Sequence, residues 1–117
     1  MNNVILVGRL TSNPEIVEIE NDKKVTTVIL AVNRNFKNSE GIYETDFIRC
    51  ILWNSIASTT TEYCHLGDVI AVKGRLQTSK YEDENKKIHY VVDVIAERVT
   101  FLSTNKKHEV ENEDSCK

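Results

Sequence analysis

The chain of 117 residues carries 15 Lys plus Arg against 18 Asp plus Glu, a formal charge of −3. That length leaves room for one domain, and the acidic balance argues against a general polyanion binder, which depends on cationic excess. No run approaches the roughly 18 apolar residues of a membrane span, and Met1-Asn2-Asn3 opens no basic-then-apolar leader, so a cytoplasmic protein without a membrane partner is expected.

Short Val- and Ile-rich runs bounded by polar clusters predict strands. The first spans Val4 to Leu10 and is interrupted at Ser12-Asn13-Pro14. Ile16 to Ile19 continues it as a bent arm, closed by a turn at Asn21-Asp22-Lys23-Lys24. The second strand is Val25 to Asn33, with Val28, Leu30 and Val32 on one face; a loop takes Asn35 to Glu44, and the third strand is Asp46 to Trp53. Asn54 to His65 predicts a helix, capped at its start by Asn54 or Ser55 and followed by Gly67. Its threonine run is weakly helical by itself, so packing must hold it. The fourth strand is Asp68 to Leu76 and the fifth Tyr90 to Leu102, joined by a long hairpin, Gln77 to Tyr90, with its tip at Glu82-Asp83-Glu84-Asn85-Lys86-Lys87. Residues 1–102 then form the domain, and 103–117, whose one aliphatic residue is Val110, read as a short, disordered, mildly acidic tail.

Five strands with one short helix between the third and fourth is the order of an OB-fold, an all-β, five-stranded Greek-key barrel. A small sandwich shares that order, and the strand faces discriminate better. Side chains two apart on a strand share a face. On the third strand Ile48, Cys50 and Leu52 suit a core, whereas Phe47, Arg49, Ile51 and Trp53 do not, because an unpaired buried Arg49 carries a heavy desolvation penalty. Rings alternating with a cation suit a surface where bases stack and phosphates are held. The fourth strand repeats the division: Ile70, Val72, Gly74 and Leu76 are core-like, opposite Ala71, Lys73 and Arg75. Arg34, Phe36 and Lys37 reach such a groove from the loop after the second strand, and Lys80 and Tyr81 from the long hairpin. Tyr63, on the helix, is expected in the core.

Cys50, Cys64 and Cys116 are odd in number and widely spaced, which predicts reduced thiols. His65, His89 and His108 form no ligand spacing with one another or with the cysteines, so neither a metal nor another cofactor is expected. No carboxylate pair or nucleophile with its base assembles a catalytic constellation, so no enzyme is expected.

Val4-Ile5-Leu6-Val7-Gly8-Arg9-Leu10 with Asn13-Pro14-Glu15, Leu30-Ala31-Val32-Asn33-Arg34, Thr45-Asp46-Phe47-Ile48, Gly74-Arg75-Leu76-Gln77-Thr78 and Tyr81-Glu82 resemble the bacterial single-stranded DNA-binding protein family, in family order from residue 4 to about 102. The resemblance implies an OB-fold, commonly a homotetramer, that binds single-stranded DNA with little sequence preference in replication, recombination and repair. Carried over by position, the stacking aromatics are Phe36, Phe47, Trp53 and Tyr81. Arg49 and Lys80 match often basic positions, and Arg34 and Arg75 match family variants; Lys73 rests on the strand face alone, and Ser79 departs from an often basic position. The family's acidic Pro-Phe tip, which docks replication and repair enzymes, is missing from Glu113-Asp114-Ser115-Cys116-Lys117, which fits a phage, plasmid or accessory member. The alternatives are an OB-fold interaction module, such as a primosome-type accessory subunit, and an RNA-binding OB protein.

Overall fold

Period-two alternation turns one face of each long strand inward, and the residues so selected make the core. The structure, a computed structural model, describes residues 1–103. Its elements are β1 (Val4–Leu10), β2 (Val17–Ile19), a single 3-10 turn (Glu20–Asp22), β3 (Lys23–Lys37), β4 (Tyr43–Trp53), α1 (Asn54–Tyr63), β5 (Val69–Glu82) and β6 (Ile88–Ser103). Leu10 of β1, Val28 and Leu30 of β3, Cys50 and Leu52 of β4, Ile70 and Val72 of β5, and Val94 and Ala96 of β6 are all buried together. Each fully buried Leu, Ile or Val contributes about 1.5–3 kcal/mol relative to exposure.

Neighbouring strands run β1-β5-β6-β4-β3-β2, and an extra β1–β3 pairing closes the first five of these into a barrel. Closure is made at Arg9↔Ala31 and Leu10↔Leu30. The β4–β6 pairing, Cys50↔Val94 and Ile51↔Ile95, is parallel, and the others are antiparallel. With α1 inserted between β4 and β5, this is the OB-fold. The helix buries Ala57 and Thr60 and contacts β3, β4 and β6, which is the packing its weak propensity requires. No helix among the described residues is long and apolar enough to cross a membrane.

The closed barrel brings backbones so near that two positions leave no space for a side chain. A Cβ at Gly8 would sit 2.7 Å from the Ala31 carbonyl oxygen, and one at Gly74 2.1 Å from that of Ile95. Gly74 lies where the β5–β6 register slips, from Lys73↔Arg98 to Gly74↔Ala96, bulging Glu97 out of the ladder.

Several boundaries differ from the sequence expectation. Strand β3 continues to Lys37 and β4 begins at Tyr43, so the expected loop from Asn35 to Glu44 shrinks to a short turn. Asn38 builds that turn: its Oδ1 accepts the Glu40 and Ile42 N–H groups at 2.8 and 3.0 Å. The helix stops at Tyr63 and has no side-chain N-cap; Asn54 Oδ1 instead accepts the Lys24 N–H at 3.2 Å, tying the helix start to β3. Leu76, expected inside, is 45% exposed because β5 has run past Gly74, its last partner on β1, before continuing as an arm with β6. Tyr63 is also exposed, its ring tilted against Phe101 at 6.2 Å. The proposed tail lies outside the described residues from 104 onward.

Gly74→Ala is expected to lower the unfolding free energy by about 1–3 kcal/mol or more, the usual cost of overpacking, read by urea denaturation. A midpoint equal to that of the parent would show that β5 and β6 separate there without cost.

Candidate nucleic-acid interface

The outward face of β4 carries Tyr43, Thr45, Phe47, Arg49, Ile51 and Trp53, since residues two apart share a side. Phe47 is 68% exposed, whereas Trp53 is half-buried. Opposite them on β3 stand Ala31, paired with Phe47, Ile29 with Arg49, and Val25 with Trp53. Beside Phe47 is a shallow depression lined by Val7, Gly8, Arg9, Ala31, Asn33 and Thr45. On that lining Ala31, the cross-strand partner of Phe47, is small, and Arg9, paired with Ala31 in turn, sets a cation on the same outward face.

Arg49 lies outside the barrel, as its alternation predicts, and is charge-compensated without being buried. Its Nε is 3.4 Å from Asp93 Oδ1, with the Arg49 side chain 55% exposed and the Asp93 side chain 12%. Lys73 similarly reaches the bulged Glu97, Nζ to Oε1 3.8 Å. Arg75 shares the Lys73 face of β5 and is half-buried; no ion pair among the described residues engages Arg75 or Lys80.

Arg34 is committed to a carboxylate. Its Nε and Nη2 donate to Asp46 Oδ1 at 3.1 and 2.9 Å, and Nη1 lies 3.7 Å from Glu44. Glu44 and Asp46 are one residue out of phase with Phe47, so this ion pair occupies the opposite face of β4. Hydrogen bonding from Arg34, reinforced by its charge, holds the Asp46 carboxyl below the ordinary carboxylate range and raises the guanidinium in turn. Phe36, 59% exposed, lies within the β3 irregularity between Asn33 and Lys37, and the register does not place it beside Phe47.

The β5–β6 arm separates the two residues expected from it. Tyr81 pairs with His89 on the side of Arg75, while Lys80 pairs with Tyr90 on the other. The Tyr81 ring stacks on His89, centroids 5.0 Å apart and planes 18° off parallel. His89 Nε2 lies 2.7 Å from Asp83 Oδ2, and Asp83 Oδ1 accepts the Asn85 and Lys87 N–H groups at 2.9 Å each. The contact with His89, then the Lys87 N–H, lowers the Asp83 pKa. The arm's tip is thus internally bonded beneath Tyr81.

Sequence reasoning missed two exposed rings, Tyr43 and Tyr90, 57% and 74% exposed. Tyr43 has the parity of Phe47, a signal hidden while the strand is expected to begin only at Asp46; Tyr90 lies on the β5–β6 arm opposite Lys80, where no apolar face marks its side. Cys50 and Cys64 are free and buried, and burial pushes both thiols up to about 11. No group of three His, Cys, Asp or Glu side chains among the described residues is placed to hold a metal ion.

A five-stranded barrel with an aromatic, cation-bearing outer face defines an OB-fold module whose geometry suits flat ligands on an anionic backbone. Comparison with known proteins makes the relation specific: the sequence model of the Single-strand binding protein family matches residues 1–102, and the chain belongs to that family. It is 47% identical over 102 residues to a Single-stranded DNA-binding protein of Bacillus cereus, covering 87% of this chain and 60% of that protein. It is 44% identical over 101 residues to Single-stranded DNA-binding protein B of Bacillus subtilis strain 168, covering 86% and 89%. Single-stranded DNA-binding protein 2 of Streptococcus agalactiae serotype III is 43% identical over 103 residues, covering 88% and 78%.

Because Asp46 is stabilised as the anion in the folded chain, the Arg34 pair contributes fully above the ordinary aspartate value and is lost as pH falls through the lowered folded value. NMR titration of the Asp46 carboxyl should give a midpoint below that of an unpaired aspartate. A midpoint at the ordinary value would show that the pair is not held in solution.

Proposed function

We propose that this chain binds and protects single-stranded DNA with little sequence preference, in the cytoplasm, in replication, recombination and repair, and that it does so without catalysing a reaction. The observation that carries the reading is the Phe47 ring standing exposed beside the small Ala31, with Arg49 next along the same strand face. Bases stack on Phe47 and Trp53, with Phe36 and Tyr81 engaging from the two arms. Every base has a flat face, so stacking tolerates any sequence. Arg75 meets phosphates as a free cation, as Lys80 does from the other side of the β5–β6 arm, and Arg49 and Lys73 do so by exchanging a carboxylate for a phosphate oxygen. Arg34, expected among them, is held by Asp46 and Glu44 on the opposite face of β4 and stays out of the track. The names of the relatives support this substrate.

Assembly as a homotetramer is part of the proposal. Strand β1 is paired to β5 along Val4 to Arg9 but to β3 only at Arg9 and Leu10, leaving one edge of Val4 to Gly8 open. Ile5 and Val7 on that segment are 72% and 50% exposed, and an open apolar edge of this kind pairs readily with another chain. Light scattering at micromolar protein should give four chains per particle; a monomer would refute the assembly.

Titrating oligo-dT while following Trp53 fluorescence tests the binding itself. Quenching with affinity that falls as salt rises is expected, and Phe47→Ala should cost about 1–3 kcal/mol. Absence of any salt-sensitive complex would refute the reading, and preference for oligo-U over oligo-dT would assign the surface to RNA.

A further inference from the structure

We infer that Tyr43 and Lys37 form an additional nucleotide-binding position, which carries the single-stranded DNA track from the barrel out along the β3–β4 arm. The inference rests on the DNA-binding reading above and adds a site to it. Its first support is alignment. Tyr43 lies four residues before Phe47 on β4, on the same face. With about 3.4 Å of rise per residue in an antiparallel strand, its ring stands about 14 Å along the strand from Phe47. Thr45 lies between them on that face, its hydroxyl donating to Asn33 Oδ1 at 2.9 Å, so no bulky group interrupts the path.

The second support is chemical. Lys37 pairs with Tyr43 across the ladder, and its Nζ sits 5.7 Å from the centre of the Tyr43 ring. The pair presents a ring for a base and an ammonium for its phosphate, the combination by which single-strand binders work. Among the described residues Lys37 makes no ion pair.

The third support is electrostatic partition. The two carboxylates nearest in sequence, Glu44 and Asp46, lie on the opposite face of β4, where Arg34 engages both and Asn38 Nδ2 also donates to Glu44 at 3.1 Å. They neutralise Arg34 and leave Lys37 uncompensated. Glu40 is confined to the turn, where its N–H is held by Asn38. Tyr43 is 57% exposed, and nothing in the core packing demands an aromatic there.

The test uses the full chain with dT oligomers, read by Trp53 fluorescence, and an oligomer carrying 5-iododeoxyuridine for photocrosslinking. Tyr43→Ala should raise Kd about ten-fold, within the range for a lost base stack, while Tyr43→Phe, which keeps the ring, should stay within about two-fold. Lys37→Gln should reduce the slope of log affinity against log salt by about 0.7, the share of one phosphate contact on a single strand. Irradiation should give an adduct at Tyr43. Failure of the parent chain to bind dT would refute the DNA-binding reading. A parent chain that binds, with Tyr43→Ala equally tight and no adduct at Tyr43, would overturn this site alone; so would loss of affinity in Tyr43→Phe equal to that in Tyr43→Ala.

Discussion

Everything on this molecule's working surface depends on how closely the strands must approach to close the barrel. Five strands close only because β1 serves two neighbours, and that double pairing brings its Gly8 against the Ala31 carbonyl, as Gly74 is brought against that of Ile95. Closure gathers inward side chains of β1, β3, β4, β5 and β6 into one shared core, and among the described residues no second layer covers Phe47. Phe47 is therefore exposed as a consequence of topology. Beside Phe47 the outer surface is kept low by Ala31, its partner across the β3–β4 ladder.

The acidic charge balance is reconciled with this surface by pairing. Arg34 with Asp46, Arg49 with Asp93 and Lys73 with Glu97 are short-range ion pairs in which the cation is held by a carboxylate of a neighbouring strand. Pairs with exposed members contribute little to stability, so their effect is chiefly to orient the cations. A phosphate that displaces such a carboxylate must overcome an existing contact, which lowers the electrostatic share of affinity and gives stacking a larger one. Net charge thus describes how strongly a polyanion is attracted from a distance, while the strand faces describe what holds it on arrival.

The alternation of Phe47, Arg49 and Trp53 against Ile48, Cys50 and Leu52 was readable in the sequence because a half-buried strand writes its two faces in a period of two. The order of strands and helix was readable for similar reasons. The β3–β4 arm was not: Asn35 to Glu44 is polar and turn-like, yet beyond the barrel a ladder is held by backbone hydrogen bonds and needs no apolar code. Truncating that strand hid Tyr43. Long-range pairing was equally invisible, since nothing near Arg49 announces Asp93, and Asn54 bonds to Lys24 thirty residues away instead of capping its own helix. Leu76 misled because alternation reports parity and not where a strand leaves the core.

The two buried cysteines bear on the chemical durability of this surface. A thiol reacts as its thiolate, and groups whose pKa has been pushed to about 11 are ionised at neutral pH only about once in ten thousand molecules. Cys50 lies directly between Arg49 and Ile51 in the strand that bears the aromatic face, but its sulfur points into the core. The strand that bears the exposed ring therefore offers oxidants and alkylating agents a sulfur that is both buried and almost wholly protonated, so its outer face carries no reactive thiol.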